Sequence, residues 1–307
     1  MDISETPILQ GLRGELRRGE PMSRHTSWRA GGPADRCYRP ADTDDLAAFL
    51  GRLPEGEPLL FVGLGSNLLV RDAGFRGTVV LMHSAERRPE IVVGRVYAEA
   101  GVASPKVARF AARNNLGGAE FLAGVPGSVG GALAMNAGCY GGETWDIVER
   151  AVTIDRRGTL HTRERDEFEI GYRHCALKAG GRLGEDVWFV AAYFHLPAAD
   201  GERSLARIRE FLCKRVASQP LSQPNAGSVF RNPIGDAAAR LIESCGLKGL
   251  ERGGARVSDK HANFIVNPKG AAKASDIEWL IATVRARVKE KTGVELRPEV
   301  RIVGEAA

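Results

Sequence analysis

An α+β fold is what this 307-residue sequence predicts, on two observations. Up to about residue 200 the chain alternates short β-branched or aromatic runs with glycine-rich loops. Beyond "AADGE" (198–202) the apolar spacing lengthens to that of amphipathic helices. At 43% hydrophobic and 26% charged residues, the composition is that of an ordinary globular chain, and the length allows two or three compact lobes.

The elements follow in order. "DTDDLAAFLGRL" (42–53) reads as a short helix with acidic residues in its first turn, where they face the positive end of the helix dipole. "PLLFVG" (58–63), "GTVVLM" (77–82) and "RVYAEAG" (95–101) read as strands. In "SPKVARFAARNNLGG", Ser104 is expected to cap a helix, Pro105 to fill its first turn, and Gly117 and Gly118 to close it. "ERAVTID" (149–155) and "GTLHT" (158–162) predict a hairpin around "RRG", and "VWFVAAYFHLP" (187–197) predicts a strong strand. "SLARIREFLCKRVASQ" carries Leu205, Ile208, Leu212 and Val216 on one helical face. "DAAARLIESCGLKG" predicts a second helix in this region. "SDIEWLIATVRARVKEKTG" predicts a third, with a Ser275/Glu278 capping box and a buried stripe of Ile277, Leu280, Ile281, Val284 and Val288. The last run, "VELRPEVRIVG", is a strand broken by Pro298, which suits an edge or a bulge.

Several function classes are disfavoured. No apolar run approaches the roughly 18 residues that span a bilayer, and the mixed-charge N-terminus has no signal-peptide core, so a cytoplasmic location is expected. The five cysteines are odd in number and scattered, as reduced thiols are. The six histidines do not group with them, so no metal site is expected. The net charge is +5 and the isoelectric point about 9.0. Basic residues are dispersed along helix faces without interleaved aromatics, which fits a polyanionic small molecule better than nucleic acid.

Two glycine loops stand out, "VGLGSNLLVRDAGFRGTVV" (62–80) and "LAGVPGSVGGALAMNAGCYGG" (122–142). The first follows a strand but is neither a Rossmann fingerprint nor a P-loop, since Leu68 stands where the third glycine belongs and no Lys-Ser/Thr pair follows. Gly63, Gly65, Ser66 and Asn67 can still offer successive N–H groups and a hydroxyl to a phosphate. The glycine density of the second loop, at Gly124, Gly127, Gly130 and Gly131 around Ser128, permits positive φ and close approach of backbone to a ligand. Each loop alone reads first as a tight turn; the pair favours one extended ligand with a diphosphate at its middle. Further on, "NAGSVFRNP" (225–233) leaves Ser228 open between a turn residue, a nucleophile and a proton donor. It is not G-x-S-x-G, which disfavours the nucleophile.

The pairing of the two loops resembles the flavin domain of the UDP-N-acetylenolpyruvoylglucosamine reductases, within the vanillyl-alcohol-oxidase/PCMH flavoprotein superfamily. "HTSWRAGGPAD" (25–35), "GYRHC" (171–175), "NAGSVFRNP", "GLKG…GGARVSDKHANFIVN" (246–267) and "RPEVRIVG" (297–304) resemble further family motifs in order. The resemblance covers the chain from about residue 22, and the short segment from Tyr172 to Val187 is similar to the type II subgroup. It implies an N-terminal extension (1–21), a two-lobed PCMH-type FAD-binding domain (22–200, lobes about 22–88 and 89–200) and a C-terminal α+β substrate-binding domain (201–307). It also implies reduction of UDP-N-acetylglucosamine enolpyruvate to UDP-N-acetylmuramate, with FAD and NADPH and no nucleic-acid or membrane partner, by a monomer or weak oligomer.

By the same resemblance, Ser228 is the proton donor, and Arg173 and Glu299 stabilise the substrate carboxylate or enolate. The Glu299 role requires a raised pKa. Flavin contacts are implied for Arg29, Gly31, Gly63, Gly65, Ser66, Asn67, Leu68, Gly124, Pro126, Gly127, Ser128, Gly130, Gly131, Ala132, Asn136 and Gly138. Substrate contacts are implied for Tyr172, Arg215, Lys248, Lys260, His261 and Asn263. The first loop has no His or Cys, so the FAD is expected to be noncovalent, and Cys139 reads as a small packed residue. Arg256 departs from the family pattern, which has glutamine there. Two other readings stay in view. A sugar oxidase of the same superfamily would explain the glycine loops but not "NAGSVFRNP" with "RPEV". A nucleic-acid-binding protein would rest on the isoelectric point alone and would lose affinity steeply with salt.

Overall fold

The computed structural model describes residues 10–306, so the first part of the N-terminal stretch read above lies outside the described residues. The chain divides into two compact units. The first takes residues 10–18, Arg36–Gly63 and Gly77–Leu212; the second takes Gly19–Asp35, Leu64–Arg76 and residues 213–306. Leu64–Arg76 and most of Gly19–Asp35, which a contiguous reading assigns to the flavin domain, therefore cluster with the C-terminal part of the chain.

In the first unit, helix α1 (Thr43–Leu50) is capped by Asp42, whose carboxylate accepts from the Asp45 N–H at 2.9 Å. It buries Leu46, Phe49 and Leu50, and Phe49 stacks on Tyr38 at 3.8 Å. The strands Leu59–Val62 and Phe75–Leu81 pair in parallel. A five-stranded antiparallel sheet follows, in the order Leu160–Glu164, Val148–Asp155, Val187–Phe194, Arg95–Glu99 and Glu90–Val92. Asp155 closes the hairpin between the first two of these by accepting from the N–H groups of Arg157 and Thr159.

Helix α2 (Ser104–Arg113) corrects the sequence expectation at both ends. Ala103 is its N-cap and makes no side-chain capping bond, so Ser104 is the first helical residue rather than the cap. The helix ends at Arg113, before Gly117 and Gly118. Asn115, at φ +56°, takes the left-handed position there, which asparagine tolerates better than most residues. Helix α3 (Val129–Ala134) follows the second glycine loop. In helix α4 (Gly201–Ser218), Ile208 and Phe211 are buried. Val216, expected on the buried face, is 61% exposed because its turn extends past the apolar core.

The second unit holds helices α5 (Ala238–Ser244) and α6 (Ala274–Thr292). It also has a three-stranded antiparallel sheet of Glu251–Arg252, Ala255–Val257 and Ile265–Val266. The predicted stripe of α6 (Ile277, Leu280, Ile281, Val284 and Val288) is buried throughout. Its predicted capping box does not form. The Lys273 N–H donates to Asp276, and Glu278 instead receives a forked bond from Arg71 at 2.8 to 3.2 Å. The cap comes from another segment, for Asp72 accepts from the N–H groups of Ala274 (2.8 Å) and Ser275 (3.0 Å). Burial raises the Asp72 pKa, but the Ser275 hydroxyl, the Ser275 N–H and the Ala274 N–H outweigh it, so the net shift is downward. A carboxylate of depressed pKa stabilises fully above its unfolded value and loses that contribution as pH falls through the folded one. Asp72→Ala is expected to cost about 1 kcal/mol in urea unfolding near neutral pH, and the difference should fade in acid.

Candidate active site

In the second unit, the first glycine loop lies backbone to backbone on the segment around residues 25–32. Gly65 has φ +60°, and a Cβ added there would overlap the His25 carbonyl and come within 2.8 Å of the Thr26 Cα. Gly65 is therefore required both by its left-handed backbone and by the close approach. Its carbonyl accepts from the Ser27 N–H at 3.1 Å. Among the described residues, nothing accepts from the N–H groups of Gly65, Ser66 and Asn67. Three successive N–H groups without a protein partner suit a phosphate or another anionic ligand edge. Leu68 enters the strand Leu68–Val70, which pairs in parallel with Arg301–Val303. The segment beneath is pinned from inside the unit, by Trp28 Nε1 donating to the Ile265 carbonyl (2.7 Å) and Asn267 Nδ2 to the Trp28 carbonyl (2.9 Å). Arg29, at φ +57°, is exposed on it, and Gly31 lies 3.0 Å (as a virtual Cβ) from the Val70 carbonyl.

The same unit brings Ser228 and Glu299 onto neighbouring backbone. The Glu299 N–H donates to the Val229 carbonyl at 2.8 Å, and Phe230 bridges Pro298. Asn67 joins them to the glycine loop. Its Nδ2 donates to the Glu299 carbonyl (3.1 Å), and its own carbonyl accepts from the Arg301 N–H (3.0 Å). Ser228 follows a turn, as its neighbours suggest: the Gly227 N–H donates to Asn225 Oδ1 (3.0 Å), and Gly227 has φ +73°. Ser228 is half-buried, and among the described residues no imidazole or carboxylate hydrogen-bonds its hydroxyl. A nucleophilic serine needs such a base; a proton donor does not.

The other expected substrate contacts of this unit are already engaged. Lys260 Nζ donates to the Val216 carbonyl (2.6 Å), Lys248 pairs with Glu243 (2.6 Å), and Arg215 Nε donates to Gln219 (2.9 Å). Arg256 pairs with Glu251 and Asp259, and its Nε is buried without a hydrogen bond. His261 Nδ1 accepts from the Asn263 N–H at 3.3 Å. Burial lowers the His261 pKa below its ordinary 6.5, with Lys248 adding to the effect. A histidine of depressed folded pKa protonates more readily when unfolded, so stability is full above the unfolded value and declines as pH falls below it. The midpoint of urea unfolding is expected to fall more between about pH 7 and pH 5 in the parent chain than in His261→Gln.

In the first unit, the second glycine loop works differently from the expectation. None of Gly124, Gly127, Gly130 and Gly131 has positive φ. Their smallness serves close packing instead: a Cβ on Gly130 would come within 2.9 Å of the Ala100 Cβ, and one on Gly124 within 2.7 Å of Cys139 Sγ. The first two N–H groups of α3 are used, Val129 donating to Val102 (2.8 Å) and Gly130 to Ala100 (2.9 Å). Those of Ser128 and Gly131 have no acceptor among the described residues, and Gly131 is exposed, with only Ser128 Oγ near its virtual Cβ at 3.9 Å. Gly63 lies against the Ser128 hydroxyl; Pro126 is exposed and Ala132 is buried. Asn136 is a brace, with Oδ1 accepting from the Trp145 N–H (3.1 Å) and Nδ2 donating to Glu143 (2.8 Å) and the Gly171 carbonyl (3.1 Å). That leaves its amide committed within the protein.

Arg173 occupies the tip of the hairpin formed by Phe168–Gly171 and His174–Leu177, at φ +53°. Its guanidinium donates to the carbonyls of Gly138 (2.8 Å) and Asn136 (3.4 Å) and lies 5.1 Å from the exposed Tyr172 ring. A non-glycine residue held in the left-handed region is a recurrent mark of functional positions. The spacing of the sequence carries no sign of the Asn67 and Asn136 braces, because an amide bonding distant backbone has no period.

A serine without a base does not fit a hydrolase, and residues 34–163 match the family described as FAD binding domain, which makes the chain a flavin-dependent oxidoreductase. Residues 219–303 match the family described as UDP-N-acetylenolpyruvoylglucosamine reductase, C-terminal domain. The chain is 56% identical to the UDP-N-acetylenolpyruvoylglucosamine reductase of Nitrosospira multiformis, over all of this chain and 94% of that protein. It is 53% identical to that of Legionella pneumophila, over 100% and 97%. The crystal structure of UDP-N-acetylenolpyruvylglucosamine reductase from Thermus caldophilus matches at a TM-score of 0.78 and 32% identity, covering 95% of this chain and 99% of that one. The chain belongs to the UDP-N-acetylenolpyruvoylglucosamine reductase family. No helix among the described residues is long and apolar enough to cross a membrane.

Proposed function

We infer that this chain reduces UDP-N-acetylglucosamine enolpyruvate to UDP-N-acetylmuramate, a step of peptidoglycan precursor synthesis, with NADPH as reductant and Ser228 as proton donor. The observation that carries the assignment to Ser228 is its place beside Glu299, on backbone braced to the glycine loop by Asn67, with no base on its hydroxyl among the described residues. FAD, once bound, supplies hydride transfer from NADPH to the methylene carbon of the enolpyruvyl group.

The residues handle the charge and the proton. When hydride reaches the methylene carbon, the electron pair of the double bond moves to the α-carbon and into the adjoining carboxylate. In our reading, Arg173 presents fixed N–H donors to that carboxylate, and its attachment to two carbonyls holds the guanidinium in place before charge develops. Glu299 polarises the same group. The Ser228 O–H then gives its proton to the α-carbon. An alcohol is too weak an acid to protonate neutral carbon, but it is competent toward an enolate, and solvent returns a proton to the alkoxide. We assign the nucleotide part of the substrate to Tyr172, Arg215, Lys248, Lys260 and His261, and FAD to the two glycine loops, noncovalently. A cytoplasmic monomer or weak oligomer is the setting we propose.

The test begins with colour. The purified chain should carry FAD and, under anaerobic conditions, should oxidise NADPH beyond the amount that reduces its flavin once only when the enolpyruvyl nucleotide is present. NADPH oxidation that ignores this nucleotide, or oxygen uptake with a free sugar, would sink the reading in favour of a sugar oxidase.

A further inference from the structure

We propose that Asn263 is a positioning residue for Ser228, acting through the two residues that follow it; this rests on the reading of Ser228 as proton donor. Asn263 is 3% exposed and makes a two-headed clamp. Its Oδ1 accepts from the Phe230 N–H (2.9 Å) and its Nδ2 donates to the Phe230 carbonyl (2.8 Å). Its own carbonyl accepts from the Val229 N–H (2.9 Å). Asn263 thus serves three of the four polar backbone groups of Val229 and Phe230, and the fourth, the Val229 carbonyl, accepts from Glu299. On its other side Ser228 follows Gly227, which is left-handed and has no atom within 4 Å of its virtual Cβ. Ser228 therefore has a turn glycine with open space beside it on one side and a hydrogen-bonded ladder on the other, and Asn263 supplies most of that ladder.

A buried amide that pairs with both groups of one peptide fixes it in both position and orientation, as a neighbouring strand would. The adjacent hydroxyl inherits that register. Because proton delivery depends on sub-ångström placement of the donor, the clamp bears on protonation of the α-carbon and not on flavin reduction by NADPH. Asn263 was expected to contact substrate; its side-chain amide is committed to Phe230 instead.

The test uses the FAD-loaded full chain and rapid mixing under anaerobic conditions, which separates flavin reduction by NADPH from flavin reoxidation by the enolpyruvyl nucleotide. In Asn263→Leu, reduction should stay within about twofold while reoxidation slows by about 10²-fold, with a larger solvent deuterium isotope effect on reoxidation than in the parent chain. Asn263→Asp keeps the acceptor for the Phe230 N–H and turns a second carboxyl oxygen toward the Phe230 carbonyl, which it can satisfy only when protonated, so its reoxidation rate should lie between the two and recover as pH falls; it also carries the test alone if the leucine variant does not accumulate. The double variant Ser228→Ala/Asn263→Leu should be no slower than Ser228→Ala. Equal slowing of both half-reactions, unchanged reoxidation, or additive losses in the double variant would overturn the positioning role while leaving Ser228 in place. Normal reoxidation by Ser228→Ala would remove the donor assignment itself.

Discussion

Ser228→Ala is expected to reduce its flavin with NADPH within about twofold of the parent rate, yet to reoxidise it with the enolpyruvyl nucleotide about 10²–10⁴-fold more slowly, the usual contribution of a positioned acid. The asymmetry follows from where the hydroxyl acts. Flavin reduction consumes no proton at the substrate α-carbon, so it does not depend on Ser228. Completion of substrate reduction does, because without the hydroxyl the proton must come from solvent. Structural damage does not account for the loss: Ser228 is half-buried, and no described residue hydrogen-bonds its hydroxyl, so alanine strands no buried partner. Melting temperature and FAD content should stay unchanged. Ser228→Cys gives a second arm, since a thiol is a better acid than an alcohol and should retain part of the activity. If Ser228→Ala reoxidises at the parent rate, Ser228 is a turn residue and nothing more.

The parts of this molecule that were legible in its sequence are those written with a period or a local pattern. The stripe of α6 recurs every three or four residues, and all five of its members are buried. The hairpin at Asp155 is equally plain. Helix ends were less so, because Ser104 and Asn115 satisfy rules that several neighbours satisfy as well. What could not be read is what long-range pairing decides. Asp72 caps a helix that begins 202 residues later in the chain, and Glu278, which local pattern assigns to a capping box, is drawn away by Arg71. At the candidate site, the family resemblance selected Ser228 and Glu299, but neither residue's neighbours announce that their backbones meet. Asn263 is the clearest case. A polar residue beside Lys260 and His261 reads as a ligand contact, and only the fold reveals that its amide faces Phe230. The glycines of the second loop teach the converse. Their density is legible, but their use in close packing depends on Ala100, which comes from elsewhere in the chain, and on Cys139, where the loop folds back on itself.

Gly65→Ala is expected to abolish stable FAD binding, with most of the purified protein colourless and the second unit melting earlier. Two costs add. At φ +60° an alanine pays the left-handed penalty of about 1–2 kcal/mol. The larger cost is steric, because the new methyl would overlap the His25 carbonyl and crowd the Thr26 Cα, which are backbone atoms rather than flexible side-chain ends. Neither can withdraw easily. The His25 N–H is bonded to the Met22 carbonyl, and the Ser27 N–H is bonded to Gly65 itself. Relief must come from the loop, which would shift the N–H groups of Gly65, Ser66 and Asn67 and pull on the Asn67 bond to Glu299. Gly270→Ala separates the two costs, since Gly270 has φ +66° in the same unit but no atom within 4 Å of its virtual Cβ. It should lose stability from the backbone penalty alone and keep its colour. Excess FAD should partly restore Gly65→Ala by mass action, raising its melting temperature as the ligand concentration rises. If Gly65→Ala retains FAD as well as Gly270→Ala does, the loop has another way to accommodate a side chain, and its close approach to residues 25–27 is not what shapes the site.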